Sequence, residues 1–333
     1  MCGKMRCCGK VRGWSVWFVV AILLLPAASR AATCTPQAEL LPQDRSSLSA
    51  IGGRLAEAVV QQDMVTLQAA LLPAEAAEWN GIQGAIGQAG PLVKGGQIQL
   101  RNIYLLDAAS QVAPADTQFF CSNAAGTLTV TIAMHALPPG RYAVVLADAA
   151  GAPLAGQLGI ILAWDGTAWR LAGVSAYHGI FDGHDGVWYW TRGRGLAKVD
   201  PWSAWYSYDV ARHLLLPLDI ISSPNLEKLH QEQAQIAGSP QEAFPYSLHD
   251  GDRVWKVDAV MLDPSLHFAD LGVVYESSGV TDAAAQRTEA IAVFSAFLKA
   301  QPGIRSNFHG LWAYAVKDGK RTPVMELPMG QIP

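Results

Sequence analysis

Residues 157–175, QLGIILAWDGTAWRLAGVS, place apolar and β-branched side chains on both sides of Asp165-Gly166. This pattern predicts two extended segments, Gln157 to Trp164 and Ala168 to Ser175, closed by a tight turn. Upstream, Thr127 to Met134 and Arg141 to Asp148 have the same character. Pro138-Pro139-Gly140 and residues 149–156 are turn material, so the four segments are expected to form an antiparallel meander. Gln97 to Asp107 is a fifth extended segment, and the glycine-rich residues 80–96 are expected to be loop. Before them, Leu48, Ile51, Leu55, Ala58 and Val59 recur at helical spacing. Asp63 then caps a shorter helix carrying Leu67 and Leu71, which ends at Pro73.

Helices followed by a curved antiparallel sheet, with Asp63 opening the second helix and the hairpin Trp164 to Leu171 closing the sheet, resemble the nuclear transport factor 2-like fold. The likeness covers residues 32–178 and implies a cone with a pocket between helix and sheet. It implies no activity, because that fold hosts many.

Residues 179–240 read as a helical hairpin. Asp200-Pro201 supplies an N-cap and a first-turn proline, after which Trp202, Tyr206, Val210 and Leu214 recur every four residues up to Pro217. Ser223-Pro224 opens another helix in the same way. Ala204, Tyr208 and Ala211, with Trp188 before them, resemble a single tetratricopeptide repeat, and one copy cannot make the stacked groove of such arrays. The stretch from Gly183 to Leu229 resembles a family of uncharacterised exported bacterial proteins. Residues 241–333 are expected to form a β-β-α-β-β unit, with the helix Asp282 to Ala300 laying Ile291, Phe294, Phe297 and Leu298 across four strands. The fold class expected for the whole is α+β.

At the N-terminus, Lys4, Arg6, Lys10 and Arg12 precede an apolar run from Trp14 to Pro26 and a small-residue stretch ending near Ala31. This order predicts a signal peptide over residues 1–31 and a periplasmic or secreted product. The run is shorter than the roughly 20 residues of a spanning helix, and no later stretch reaches that length. A lipid anchor on Cys34 is disfavoured, because Ala31-Ala32-Thr33 is a poor setting for one. Of the five cysteines, Cys34 and Cys121 lie beyond the leader, and they are expected to form a disulfide in an oxidising compartment. Removing residues 1–31 takes away five basic side chains and no acidic one, so the net charge of −4 becomes −9. Nucleic acid is therefore excluded as a partner.

Chemistry-bearing motifs are sparse. His178, Asp182, His184 and Asp185 supply zinc-ligand residue types, but their spacing fits no closed site and passes through Gly179 and Gly183. Neither bound metal nor cofactor is expected. His249-Asp250-Gly251 repeats the pattern as a turn would. Asp250 with Asp252, and Asp263 with Asp270, fall at turns where solvated acids are usual. No nucleophile motif or phosphate loop is present. The strongest signal is aromatic. Trp188, Trp190, Trp202, Trp205 and Tyr206 are candidates for an interaction surface toward a peptide, glycan or envelope protein, weighed against a core between two sheets. The sequence thus favours a non-catalytic binding protein. The alternative is an extracytoplasmic enzyme working in the N-domain cone or at the His178/His184 loop.

Overall fold

The structure, a computed structural model, describes residues 32–333, so the expected signal peptide lies outside the described residues. Strand β1 (Thr33–Pro36) leads into helices α1 (Pro42–Val60), α2 (Met64–Ala69) and α3 (Trp79–Val93). Asp63 caps α2, its carboxylate accepting from the Thr66 amide at 3.0 Å. Helix α3 replaces the loop expected over residues 80–96. Its apolar side chains Ile82, Ile86, Ala89 and Val93 keep helical spacing and turn inward, while Gly81, Gly84 and Gly87 face open space. Each glycine costs about 1 kcal/mol relative to alanine, and burial of the aliphatic stripe offsets this.

Six strands follow: β2 (Gln97–Asp107), β3 (Ala115–Ser122), β4 (Leu128–Leu137), β5 (Arg141–Ala150), β6 (Gln157–Trp164) and β7 (Trp169–Tyr177). An antiparallel sheet of order β1-β2-β5-β6-β7 forms the first layer. The expected meander holds for β5, β6 and β7 but not for β4, which leaves to pair with β3 in a separate ribbon. Ala136, at φ 46°, turns the chain there, and its amide is held by the Asp116 carboxylate at 2.9 Å. Strand β5 is buried on both faces. Ala143, Val145 and Ala147 meet α1 and α3, and Val144 and Leu146 meet the ribbon.

Cys34 of β1 and Cys121 of β3 are bonded, with their Cα atoms 5.0 Å apart, and so join the main sheet to the ribbon. The bridge spans 87 positions of sequence. Reduction should lower the free energy of unfolding by about 3 kcal/mol, mostly by freeing the unfolded chain. Urea unfolding with and without reductant measures this, and coincident curves would show that the bridge contributes nothing.

The chain next makes a small hairpin, β8 (Ile180–Phe181) and β9 (His184–Asp185), then helices α4 (Gly186–Leu196) and α5 (Pro201–Leu215), strand β10 (Ile221–Ser222) and helix α6 (Pro224–Ala234). Asp185, Asp200 and Ser223 cap the three helices through their side chains. Strand β10 adds itself to β4 of the ribbon. Leu218 sits directly over Gly159 of β6, where a Cβ would lie 2.5 Å from the leucine side chain. Buried Gln157 secures the same joint, donating to the carbonyls of Leu214 at 2.9 Å and His178 at 3.2 Å.

The second sheet is β11 (Tyr246–Asp250), β12 (Arg253–Asp263), β13 (Asp270–Glu276), β14 (Gly310–Lys317) and β15 (Lys320–Pro328), in that order. Only β13 and β14 are parallel, and α7 (Ala283–Ala300) with α8 (Pro302–Asn307) makes the crossover between them. The expected four strands gain β11 as a fifth, at the edge. Phe294, Phe297 and Leu298 of α7 are buried as expected, in a cluster that also holds Tyr189, Trp202, Tyr206, Leu271, Val273 and Leu311. The helical hairpin therefore shares its core with the second sheet, and the described residues 32–333 gather into one unit. The α+β class is the observed one.

Candidate functional site

The five aromatic candidates have separate fates. Trp202 and Tyr206 are buried, and this corrects their candidacy as a surface. The Trp202 ring packs against Phe244, Tyr246 and Phe297, and the Tyr206 hydroxyl donates to the Val260 carbonyl at 3.3 Å. Trp188 stacks on His184 at 3.7 Å beneath the Arg192 guanidinium. Trp190 donates its indole N–H to Glu232 at 2.7 Å and carries Arg194 on its face. Arg194 also pairs with Glu232 through two bonds, holding that carboxyl down at about 2, so α6 is locked onto α4. Trp205 lines a cavity.

That cavity is a groove of about 830 Å³ between the ribbon and helices α5 and α6. Phe120 of β3, 60 % exposed, and Trp205 of α5 supply aromatic surface, with Leu128 and Leu226 beside them. Asp209, Asp219 and Glu227 place three carboxylates in it against Arg212 and His230. Asp209 accepts from Gln233 at 2.6 Å, and burial pushes its carboxyl up to about 6. A side cavity of about 310 Å³ shares Asp209, Arg212 and Asp219 with it and is also lined by His213. Phe120 was missed in the sequence because residues 115–122 were not read as a strand. Asp209 and Arg212 lie within the aromatic helix, and their every-third-residue spacing placed them on one face.

Histidines meet where the two sheets join. His178 touches His213 through Nδ1 at 3.2 Å and His267 through Nε2 at 2.9 Å. A neutral ring has one donor and one acceptor nitrogen, so this chain needs no charge. Burial lowers His178 to about 3 and His213 to about 4. His184 points elsewhere, to Trp188, and Asp182 and Gly183 are turn residues at positive φ. The suspected His178/His184 cluster is thus a hairpin turn plus one arm of a different assembly.

A second polar group gathers at the head of β13 and β14. Asp263 and Asp270, expected to be solvated, are buried and stand directly opposite each other in the ladder. Asp263 accepts from the Tyr314 hydroxyl and from Ser265. Asp270 accepts from His309 Nδ1 at 2.8 Å, and Phe268 stacks on that imidazole at 3.8 Å. Burial raises the Asp270 carboxyl despite His309, and burial beside Asp270 raises Glu326. Among the described residues, Asp270, His309 and Glu326 are the group whose donor atoms converge, within 4.8 Å of one another.

Comparison with protein-family models, with curated proteins and with solved structures finds no match to this chain. Among the described residues no helix is long and apolar enough to cross a membrane.

Proposed function

We propose that this chain is an exported, non-catalytic binding protein of the bacterial envelope, and that the groove between the ribbon and α5–α6 takes an extended peptide. The observation that carries this reading is the pairing of Phe120 and Trp205 with an acid-rich floor at Asp209, Asp219 and Glu227. Aromatic anchors give area, and the carboxylates favour a neighbouring Lys or Arg on the ligand. Export is supported by the Cys34–Cys121 bond, which needs an oxidising compartment.

Helices α1 and α3 over an antiparallel sheet support the nuclear transport factor 2-like reading of the N-terminal part. The close crossing of α4 and α5, where a Cβ on Gly193 would lie 2.7 Å from the Tyr208 ring, supports the tetratricopeptide-like one. The alternative of an enzyme working inside the N-terminal cone loses support, because Leu55, Val59, Ile86, Val93, Val145 and Ile160 of that interior are buried in one apolar cluster. Panning a random heptapeptide display library against the mature protein tests the binding role. Enriched peptides should bind at least about tenfold more weakly to Phe120→Asp, a surface change that leaves the fold intact. They should also weaken on Trp205→Ala. No enrichment, or enrichment indifferent to both substitutions, would overturn the reading.

A further inference from the structure

We propose that Asp270, His309 and Glu326 hold one divalent transition-metal ion at the head of the parallel β13–β14 pair. Three chain segments bring the residues together: Asp270 opens β13, His309 immediately precedes β14, and Glu326 lies on β15. The backbone fixes their spacing, with the His309 amide on the Ala269 carbonyl at 3.1 Å and the Met329 amide on the His309 carbonyl at 2.8 Å. Gly310 leaves the room, since a Cβ there would come within 2.6 Å of Glu326 Oε1 and 3.0 Å of Asp270 Oδ1.

What points to a ligand is unmet bonding capacity. Asp270 is fully buried, yet its Oδ2 has no hydrogen-bond partner, and the buried Glu326 Oε1 has none either. A buried oxygen of this kind costs about 1–3 kcal/mol if nothing meets it, and more when charged. Nor is the charge balanced. Asp182 and Asp263 also press on Asp270, and among the described residues no lysine or arginine forms an ion pair with any of these four carboxylates. A dication supplies both the bonds and the charge.

The donor set selects the ion. One imidazole with two carboxylates suits zinc or manganese, whereas magnesium and calcium favour all-oxygen sites. His309 Nδ1 and Asp270 Oδ1, at 2.8 Å, need to part by only about 0.2–0.6 Å to become two donors on one ion, which lie about 3.0 Å apart in an octahedral and about 3.4 Å in a tetrahedral shell for bonds of about 2.1 Å. The His309 side chain is 28 % exposed, which gives an entry path. Three protein ligands leave a coordination position to water, as in reactive rather than closed sites. This inference is independent of the groove. It also replaces the expectation of no bound metal, which was drawn from His178 and His184.

Calorimetric titration of EDTA-stripped mature protein, purified without metal-affinity resin, tests it with Zn²⁺ and Mn²⁺. One ion per chain should bind, and saturating Zn²⁺ should raise Tm by about 5 °C. Glu326→Gln, nearly isosteric, should weaken binding about 100-fold while leaving the metal-free Tm equal to or above that of the parent. His178→Gln should bind as the parent does. Absence of binding by either ion would overturn the proposal. Binding that survives Glu326→Gln, or that is lost in His178→Gln, would overturn it equally by moving the site elsewhere.

Discussion

Trp202→Ala lowers the free energy of unfolding by about 3–5 kcal/mol, because a large aromatic in a closed core leaves a cavity that its neighbours fill only in part. The neighbours are known. Trp202 meets Phe244 at 5.8 Å, Tyr246 at 5.4 Å and Phe297 at 5.9 Å between ring centroids, so one helix residue spans the entry to β11 and the body of α7. The loss should therefore loosen α5 and the second sheet together. Thermal denaturation should show a Tm about 10 °C lower, and limited proteolysis should open the chain on both sides of α5. Trp205→Ala, three residues on but lining the groove, should change Tm far less. If Trp202→Ala melts like the parent, α5 is not the joint between the two sheets.

Acid destabilises the protein through its buried histidines. His178 and His213 have folded values of about 3 and about 4, against about 6.5 for a histidine in the unfolded chain. Between those limits the unfolded state binds more protons, so stability rises with pH and is lost as pH falls below about 6.5. At pH 5 each ring has cost about 2 kcal/mol, and the pair about 4 kcal/mol if they act independently. Asp209 works the other way, since its raised carboxyl binds its proton in the folded state first. Comparing His178→Gln with the parent removes that contribution, because both retain Asp209. An amide at position 178 can still donate to one histidine and accept from the other. Urea unfolding at pH 7.5, 6.5 and 5 should show the variant losing about 2 kcal/mol less stability than the parent by pH 5. Parallel pH profiles for the two proteins would sink the idea.

Local signals carried much of the architecture. Side-chain caps at Asp63, Asp200 and Ser223 mark helix starts in the sequence and do so in the structure. The row Trp202, Tyr206, Val210, Leu214 is the buried face of α5. Where reading failed, a tertiary contact overrode a local cue. Helix α3 was hidden by glycines that face solvent, and β4 left the meander for the strand at positions 115–122 just before it, which carries no clear strand pattern, and for positions 221–222, distant in sequence. The polar sites were hidden for the same reason. Asp270, His309 and Glu326 are separated by 39 and 17 positions, and only the β13–β14–β15 register brings them together. Two aspartates at the ends of a hairpin look solvated until the rest of the sheet closes over them.

The contact of Leu218 with Gly159 has a meaning for descent. Position 159 admits no side chain while a leucine sits on it, and position 218 has nothing to rest on if 159 grows. The two sites are therefore one heritable unit, divided between a strand and a segment some sixty residues later. A lineage that adds a side chain at 159 must also shrink or move 218, or pass through an intermediate whose helices no longer seat on the first sheet. Gly81, Gly84 and Gly87, with nothing near them, carry no such bond and are free to drift singly.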